Sequence, residues 1–331
     1  MNKFFLIFII TIIFSCENPR ELVVHSGLQF GTYYNIKREN IGVEHKKIQL
    51  GIDSLFRVIN SSMSTYLPNS LISKINDGKE NVVLDEHFLN VFKKSSQVFS
   101  ITNGYFDPTV GSIVNAYGFG PSGGINKISQ FQIDSIKKLI GWEKLNLVGE
   151  RVISKQHPNI FIDFNSIAKG YMIDIIDKYL KRLGSENHLI DIGGEIKGTG
   201  INIMTKKKWK IAIDYPKKNM ERKIINVVSI KNQAIATSGN YRKFKIDSLT
   251  GQMYVHLINP LKGLPSKSSI LSVSVISKDC MTADAFATAL MVMPIELGKK
   301  IVNENDFIEA YWIISNGKEV DEVFSKKWKS N

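Results

Sequence analysis

Apolar positions along the chain fall into short periodic runs separated by polar turns. Gly31 to Ile36 alternates and predicts a strand. Ile48, Ile52, Leu55 and Ile59 recur at spacings of four, three and four, which places them on one face of a helix. A second helix runs from about Asp85, with Phe88, Val91, Phe92, Ser95 and Phe99 inward and Gly104 at its end. Asp134 to Ile140 reads as a short helix, Ile160 to Phe164 as a buried strand, and Ser166 to Leu183 as a longer helix. Leu189 to Ile192 is a strand, followed by four more: Trp209 to Asp214, Ile224 to Ile230, Gln233 to Thr237 and Ile270 to Ser277. Cys280 to Val292 is a compact alanine-rich helix, and a last helix and strand cover Leu297 to Ile314. Strands in runs, without regular intervening helices, predict an α+β fold with a largely antiparallel sheet and packed helices. No repeat or low-complexity linker divides it, so one domain is expected over residues 27–331.

The start of the chain has a different pattern. After Asn2 and Lys3, Phe4 to Phe14 is apolar except for Thr11; Ser15 and Cys16 follow, then polar Glu17, Asn18, Pro19 and Arg20. A bilayer span needs about 20 apolar residues, so this run reads as an export signal. A small residue before a cysteine at the end of such a run suits a lipoprotein peptidase. The expectation is a signal peptide over 1–15, acylation of Cys16, and a polar tether over 16–26. The domain would then be periplasmic or extracytoplasmic, anchored to a membrane by lipid. An ordinary cleaved signal with a chance cysteine is the plainer alternative. Acyl chains contribute about 0.8 kcal/mol per buried methylene, so several chains anchor firmly.

Export changes how the charge is read. The formal charge is +12, carried by scattered lysines such as Lys206 to Lys208, Lys217, Lys218, Lys326, Lys327 and Lys329. Nucleic-acid binding is not expected of an exported protein. A solvated surface, or attraction to anionic lipid or a phosphate-bearing ligand, remains. Of the two cysteines, only Cys280 is left once Cys16 is lipidated, so stability must come from an ordinary core.

Five polar or glycine-rich sites interrupt the apolar elements. Gly31-Thr32-Tyr33 is the first. The second, Tyr105-Phe106-Asp107-Pro108-Thr109-Val110-Gly111, lies in an aperiodic stretch from Gly104 to Gly124. Ordered loops that long are usually functional. At the third, Asp163 to Gly170, a strand hands over to a helix that Ser166 is placed to cap. Lys169 in the first turn opposes the helix dipole, and a bound anion would remove the conflict; a solvated surface lysine is the alternative. Asp191-Ile192-Gly193-Gly194-Glu195 is the fourth: its glycines permit close approach of a ligand to backbone, or simply mark a tight turn. It lacks the spacing of a dinucleotide-binding loop. Ser238, the Gly239 to Arg242 turn and His256 are placed to line the same cleft. In the fifth, Met281 to Leu290, Asp284 and Thr288 share a helical face among alanines. An aspartate there needs a partner, and a hard divalent cation takes such oxygens. Pairing of Asp284 with a lysine is the alternative. Few histidines and no cysteine cluster argue against zinc.

With FDPTVG, IDFNSIAKGY, DIGGE, ATSGNYR, HLINPLKG and DCMTADAFATALMVM in that order, the chain resembles the FAD:protein FMN transferases, the ApbE family, from about Gly27 to about Ala310. The resemblance implies a Mg2+-dependent enzyme that attaches FMN from FAD, by a phosphoester, to a threonine or serine of an acceptor protein and releases AMP. Acceptors of the family include subunits of the sodium-pumping NADH:quinone oxidoreductase and of the Rnf complex. It implies metal ligation by the Ala168 carbonyl, Asp284 and Thr288, with Asp284 and Lys169 serving the chemistry. Tyr66, Tyr105, Phe106, Asp107 and Lys169 would belong to the flavin nucleotide pocket, and Asp163, Gly193, Gly194, Ser238 and His256 to the same cleft. Phe30 stands where many members have methionine, a variation of pocket shape. Hydrolysis of FAD to FMN and AMP, or mere carriage of FAD, are the competing expectations.

Overall fold

The computed structural model describes residues 21–121, 129–216, 223–240, 244–246, 253–266, 268–317 and 319–329. Cys16 and the signal peptide lie outside the described residues, as do Ser122 to Gly124, Lys217, Lys218, Tyr241 and Arg242.

The chain opens with the hairpin β1 (Leu22–Gln29) and β2 (Thr32–Glu39), followed by α1 (His45–Met63), α2 (Leu71–Asn76) and α3 (Glu86–Ile101). Then come α4 (Gly111–Ala116), α5 (Gln130–Lys137), the hairpin β3 (Leu145–Val148) and β4 (Val152–Lys155), and α6 (Ala168–Arg182). β5 (His188–Ile192) and β6 (Glu195–Thr199) precede the hairpin β7 (Trp209–Asp214) and β8 (Ile224–Ile230), then β9 (Gln233–Gly239). Four short strands follow: β10 (Phe244–Ile246), β11 (Met253–Val255), β12 (Ile258–Asn259) and β13 (Leu264–Pro265). The chain ends with β14 (Ile270–Ser277), α7 (Cys280–Val292), α8 (Ile295–Glu304), β15 (Ile308–Ser315) and β16 (Val320–Phe324).

Eight strands form one sheet in the order β1-β2-β5-β6-β9-β14-β15-β16, and every neighbouring pair is antiparallel. One face carries the main core. Ile48, Ile52, Phe56 and Ile59 of α1, Phe88 and Val91 of α3, Ile173 and Ile176 of α6, and most of α7 pack there. The other face is covered by the β7–β8 hairpin, whose Trp209, Ile211 and Val228 meet Ile235, Ile276 and Ile313. The result is one α+β domain. α7 is buried on nearly every side, as its alanine-rich, mostly apolar sequence requires, and Asp279 caps it by accepting the Thr282 N–H at 2.8 Å. Asp85 caps α3 in the same way, through Phe88 N–H at 2.7 Å.

Several expected boundaries move. The tether expected over 16–26 is strand from Leu22 onward, because β1 buries His25 against α1 and pairs along all of β2. Ile160 to Phe164 is buried but is not a ladder strand. A single parallel bridge joins Phe161 to Val110, and Asn76 takes over the backbone pairing, exchanging hydrogen bonds with Ile162 N–H and C=O at 2.8 and 2.9 Å. The aperiodic stretch contains α4. Ser166 caps nothing: α6 begins after Ile167 without a side-chain cap, and its Gly170 N–H donates instead to Asp284 of α7. Among the described residues no helix is long and apolar enough to cross a membrane.

Candidate functional site

Two tight turns meet at one end of the large sheet. Phe30 and Gly31 join β1 to β2 with φ of 53° and 69°, and Gly193 and Gly194 join β5 to β6 with φ of 65° and 99°. Positive φ at both central positions matches the twist of two-residue hairpins. The pairing of Tyr34 with Ile192 sets the turns side by side. Gly193 N–H donates to the Tyr33 carbonyl at 3.0 Å, and a β-carbon on Gly193 would lie 2.8 Å from Thr32 Cγ2. Phe30 packs edge-on against Phe56 with ring centres 5.6 Å apart. β9 runs antiparallel to β6, with Ile196 opposite Ile235, so Ser238 lies at this same sheet end. Its hydroxyl is 3.5 Å from that of Thr288 on α7.

The α6 start and α7 meet beside these turns. A β-carbon on Gly170 would lie 2.7 Å from the Cys280 carbonyl carbon and 2.8 Å from Met281 Cα. That approach lets Gly170 N–H reach Asp284 Oδ2 at 3.0 Å. Asp284 is 3% exposed. Burial, with the nearby Glu195 carboxylate, pushes its pKa up to about 7, against the pull of Lys169 and the Gly170 N–H. Lys169, its side chain 28% exposed, places its ammonium 2.6 Å from Glu195 Oε2, whose side chain is 5% exposed. Burial works against that ammonium, but Glu195 and then Asp284 raise its pKa above the usual lysine value. The helix-start cation therefore has a carboxylate of its own. Glu195, quoted in its motif but given no role from the sequence, is the partner of Lys169 that the sequence left unassigned. The available signal was the alternation of Glu195 and Lys197 within a buried strand.

A second network holds these helices together. Asp174 of α6 accepts the Cys280 and Met281 N–H groups at 3.0 and 2.9 Å and the Lys197 ammonium at 2.7 Å. Asp177 accepts from Thr199 at 2.5 Å and from Lys181 at 2.9 Å, and lies 2.9 Å from His188 Nε2.

Other predicted residues take different places. Asp163 is buried and accepts from Asn165 N–H and its amide at 2.7 and 3.1 Å; burial raises its pKa despite those donors. Tyr66 is exposed, and burial of part of its ring together with Asp163 raises its pKa. Tyr105 is half-buried against the core, while Phe106 lies inside it. Asp107 clasps its own loop: it accepts the Thr109 N–H and hydroxyl at 2.8 and 2.6 Å and the Trp142 N–H at 3.1 Å. Burial pushes its pKa up to about 6. His256 is half-buried, with its ring edge-on to Phe119 at 6.2 Å. The structure thus gathers Phe30, Gly193, Gly194, Ser238, Lys169, Asp284 and Thr288 at one sheet end, and Phe106 and Asp107 belong to the interior beside it.

Among the described residues no three His, Cys, Asp or Glu side chains cluster as a metal site. A cation here must draw on hydroxyl and carbonyl oxygens as well as Asp284, a donor set that suits a hard ion. The charges fit as well. With both carboxylates ionised, Lys169, Glu195 and Asp284 sum to one net negative charge; burial is the main cause of the raised Asp284 pKa, and Glu195 adds to it.

The same sheet and helices are found in solved flavin transferases. The structure titled Flavin Transferase ApbE from Vibrio cholerae superposes with a TM-score of 0.84 at 34% identity, over 93% of this chain and 98% of that one. The ApbE family model matches residues 30–312, and the chain belongs to the ApbE family. A curated Vibrio cholerae relative named FAD:protein FMN transferase is 35% identical over 95% of this chain and 94% of its own length. A Haemophilus influenzae protein of the same name is 30% identical over 91% and 88%. The chain is an enzyme of this family.

Proposed function

We propose that this enzyme is a Mg2+-dependent FAD:protein FMN transferase. The observation that carries the reading is the buried Asp284. It has one hydrogen-bond donor among the described residues, a pKa pushed upward by burial, and Thr288 one helical turn further along. Asp284, Thr288 and the Ala168 carbonyl at the α6 start would hold Mg2+. When bound, the ion would neutralise diphosphate oxygens of FAD. Lys169 would meet the same phosphates from the first turn of α6. Tyr66, Tyr105 and Phe30 would border the flavin, and the Gly193-Gly194 turn would let it approach the backbone.

In the reaction, an acceptor threonine or serine hydroxyl attacks the FMN phosphorus. The new P–O bond forms as the bond to the AMP phosphate breaks. The hydroxyl proton is released to the leaving phosphate or to water. Such transfers depend on positioning and charge neutralisation more than on a covalent enzyme group. Acceptors are proteins such as subunits of an NADH:quinone oxidoreductase or an Rnf complex. The domain would work outside the cytoplasm, held at a lipid bilayer through acylated Cys16.

Mass spectrometry of a candidate acceptor domain after incubation with the enzyme, FAD and Mg2+ tests this. An FMN increment on the acceptor, abolished by chelation and by Asp284→Asn, is expected. Free FMN and AMP beside an unmodified acceptor would make it a pyrophosphatase, and intact FAD a carrier. Cys16→Ser is expected to abolish lipid labelling and membrane retention; normal labelling of that variant would end the lipoprotein reading.

A further inference from the structure

Glu195 opens β6 directly after the Gly193-Gly194 turn. Its Oε2 takes the Lys169 ammonium at 2.6 Å and, among the described residues, accepts no other hydrogen bond. Lys169 also feels Asp284, yet its ion pair is with Glu195. Asp284 is bound to the N–H of Gly170, the residue next to Lys169, so both carboxylates lie close to the start of the lysine side chain. Breaking a buried ion pair leaves an uncompensated charge, which is strongly unfavourable. With Glu195 gone, the ammonium would turn to the remaining buried carboxylate, Asp284. That pairing would occupy the oxygens a cation needs.

We infer that Glu195 is a positioning residue: it holds the Lys169 ammonium off Asp284 and so keeps that carboxylate available to a divalent cation. The inference rests on the metal-dependent reading of the site. It differs from a plain field effect, in which any lost negative charge weakens cation binding by the same factor whatever Lys169 does. Competition makes the loss depend on the lysine.

A double-mutant cycle separates the two, because coupling appears as non-additivity. Binding of Mn2+ alone, with no FAD, is measured on the full chain by the loss of the free-ion electron paramagnetic resonance signal. Glu195→Gln is expected to weaken Mn2+ binding by about tenfold, the equivalent of one pKa unit of interaction. In a Lys169→Met background the same Glu195→Gln change is expected to weaken it by less than about threefold. Glu195→Asp, which keeps the charge, should stay near wild type, and it serves as the test if Glu195→Gln fails to fold. Equal losses from Glu195→Gln in both backgrounds, or a Glu195→Asp variant with the same loss as Glu195→Gln, would overturn the inference. Asp284→Ala is the control for the underlying reading: if it binds Mn2+ like wild type, the metal site itself is wrong, whatever the cycle gives.

Discussion

Replacing Gly170 with alanine sets local propensity against packing. Gly170 is the third residue of α6, and by propensity alone the change should stabilise a helix by roughly 0.5–1 kcal/mol. The tertiary structure reverses that sign. The new β-carbon would lie 2.7 Å from the Cys280 carbonyl carbon, closer still to its oxygen, and 2.8 Å from Met281 Cα. All three are backbone atoms, so no side chain can rotate out of the way; α7 itself must move away from α6. Overpacking of this kind costs about 1–3 kcal/mol. The shift also stretches the bonds from Gly170 N–H to Asp284 and from Cys280 and Met281 N–H to Asp174. Hydrogen bonds to charged groups contribute about 1.5–3 kcal/mol each, and partial loss adds to the overpacking. After the propensity gain, the expected net destabilisation is about 2–4 kcal/mol. Urea unfolding followed by far-UV circular dichroism reads it as a lower midpoint at unchanged slope. Mn2+ affinity should fall as well, since Asp284 rides on the displaced helix. A variant as stable as wild type, or up to about 1 kcal/mol more stable, would refute the close α6–α7 approach and the site geometry built on it.

Gly193→Ala should cost about 1–2 kcal/mol for its left-handed backbone plus the clash with Thr32 Cγ2, and should raise KM for FAD more than it lowers kcat; an unchanged KM would remove the turn from the substrate pocket. Acid should weaken the β1–α1 contact: His25 is buried, accepts Arg38 Nε–H at 3.0 Å, lies 3.0 Å from Gln49 Oε1 and stacks on His45 at 4.1 Å. Burial, with His45 and Arg38 nearby and against Gln49 and Asp53, lowers its pKa to about 4. The unfolded chain binds this proton first, so stability is intact above the ordinary histidine pKa of about 6.5 and falls as pH drops toward 4, by up to about 3 kcal/mol. His25→Gln, which can keep both hydrogen bonds, should flatten that slope in urea midpoints measured from pH 7 to 4.5, and an equally steep slope would show that other groups carry it.

The sequence made some of this legible through local signals. The spacing of Ile48, Ile52 and Ile59 marked α1, Asp85 marked the start of α3, and the shared face of Asp284 and Thr288 on α7 followed from helical period alone. What it hid was set by tertiary context. β1 carries a buried His25 that breaks its apolar alternation, and that residue is tolerated only because Arg38 and Gln49 meet it. Ile160 to Phe164 has a strand's pattern, but Asn76, far away in sequence, supplies the pairing a ladder would give. Lys169 was readable as a cation in an awkward place. Its partner was not, because the register of β6 against α6 decides which carboxylate it meets.

That register is itself specified by charge. Along β6, Glu195, Lys197 and Thr199 face α6 and meet Lys169, Asp174 and Asp177. The alternate residues face the other way: Ile196 packs into the cluster under β7–β8, and a β-carbon on Gly198 would meet Trp209 and Ile230. A slip of one residue would turn an isoleucine toward the carboxylates and bury two charges among tryptophan and isoleucine. Buried ion pairs add little net stability over apolar packing, but losing one partner of such a pair is strongly unfavourable. The ladder therefore acts mainly by excluding wrong registers. Asp174 extends it to α7 by holding the first N–H groups of the helix that carries Asp284 and Thr288. The position of Asp284 relative to Lys169 is thus fixed by a chain of charges running from β6 through α6 to α7. Lys197→Met leaves Asp174 buried with only the two α7 N–H groups, so it should loosen that chain far from any substrate contact.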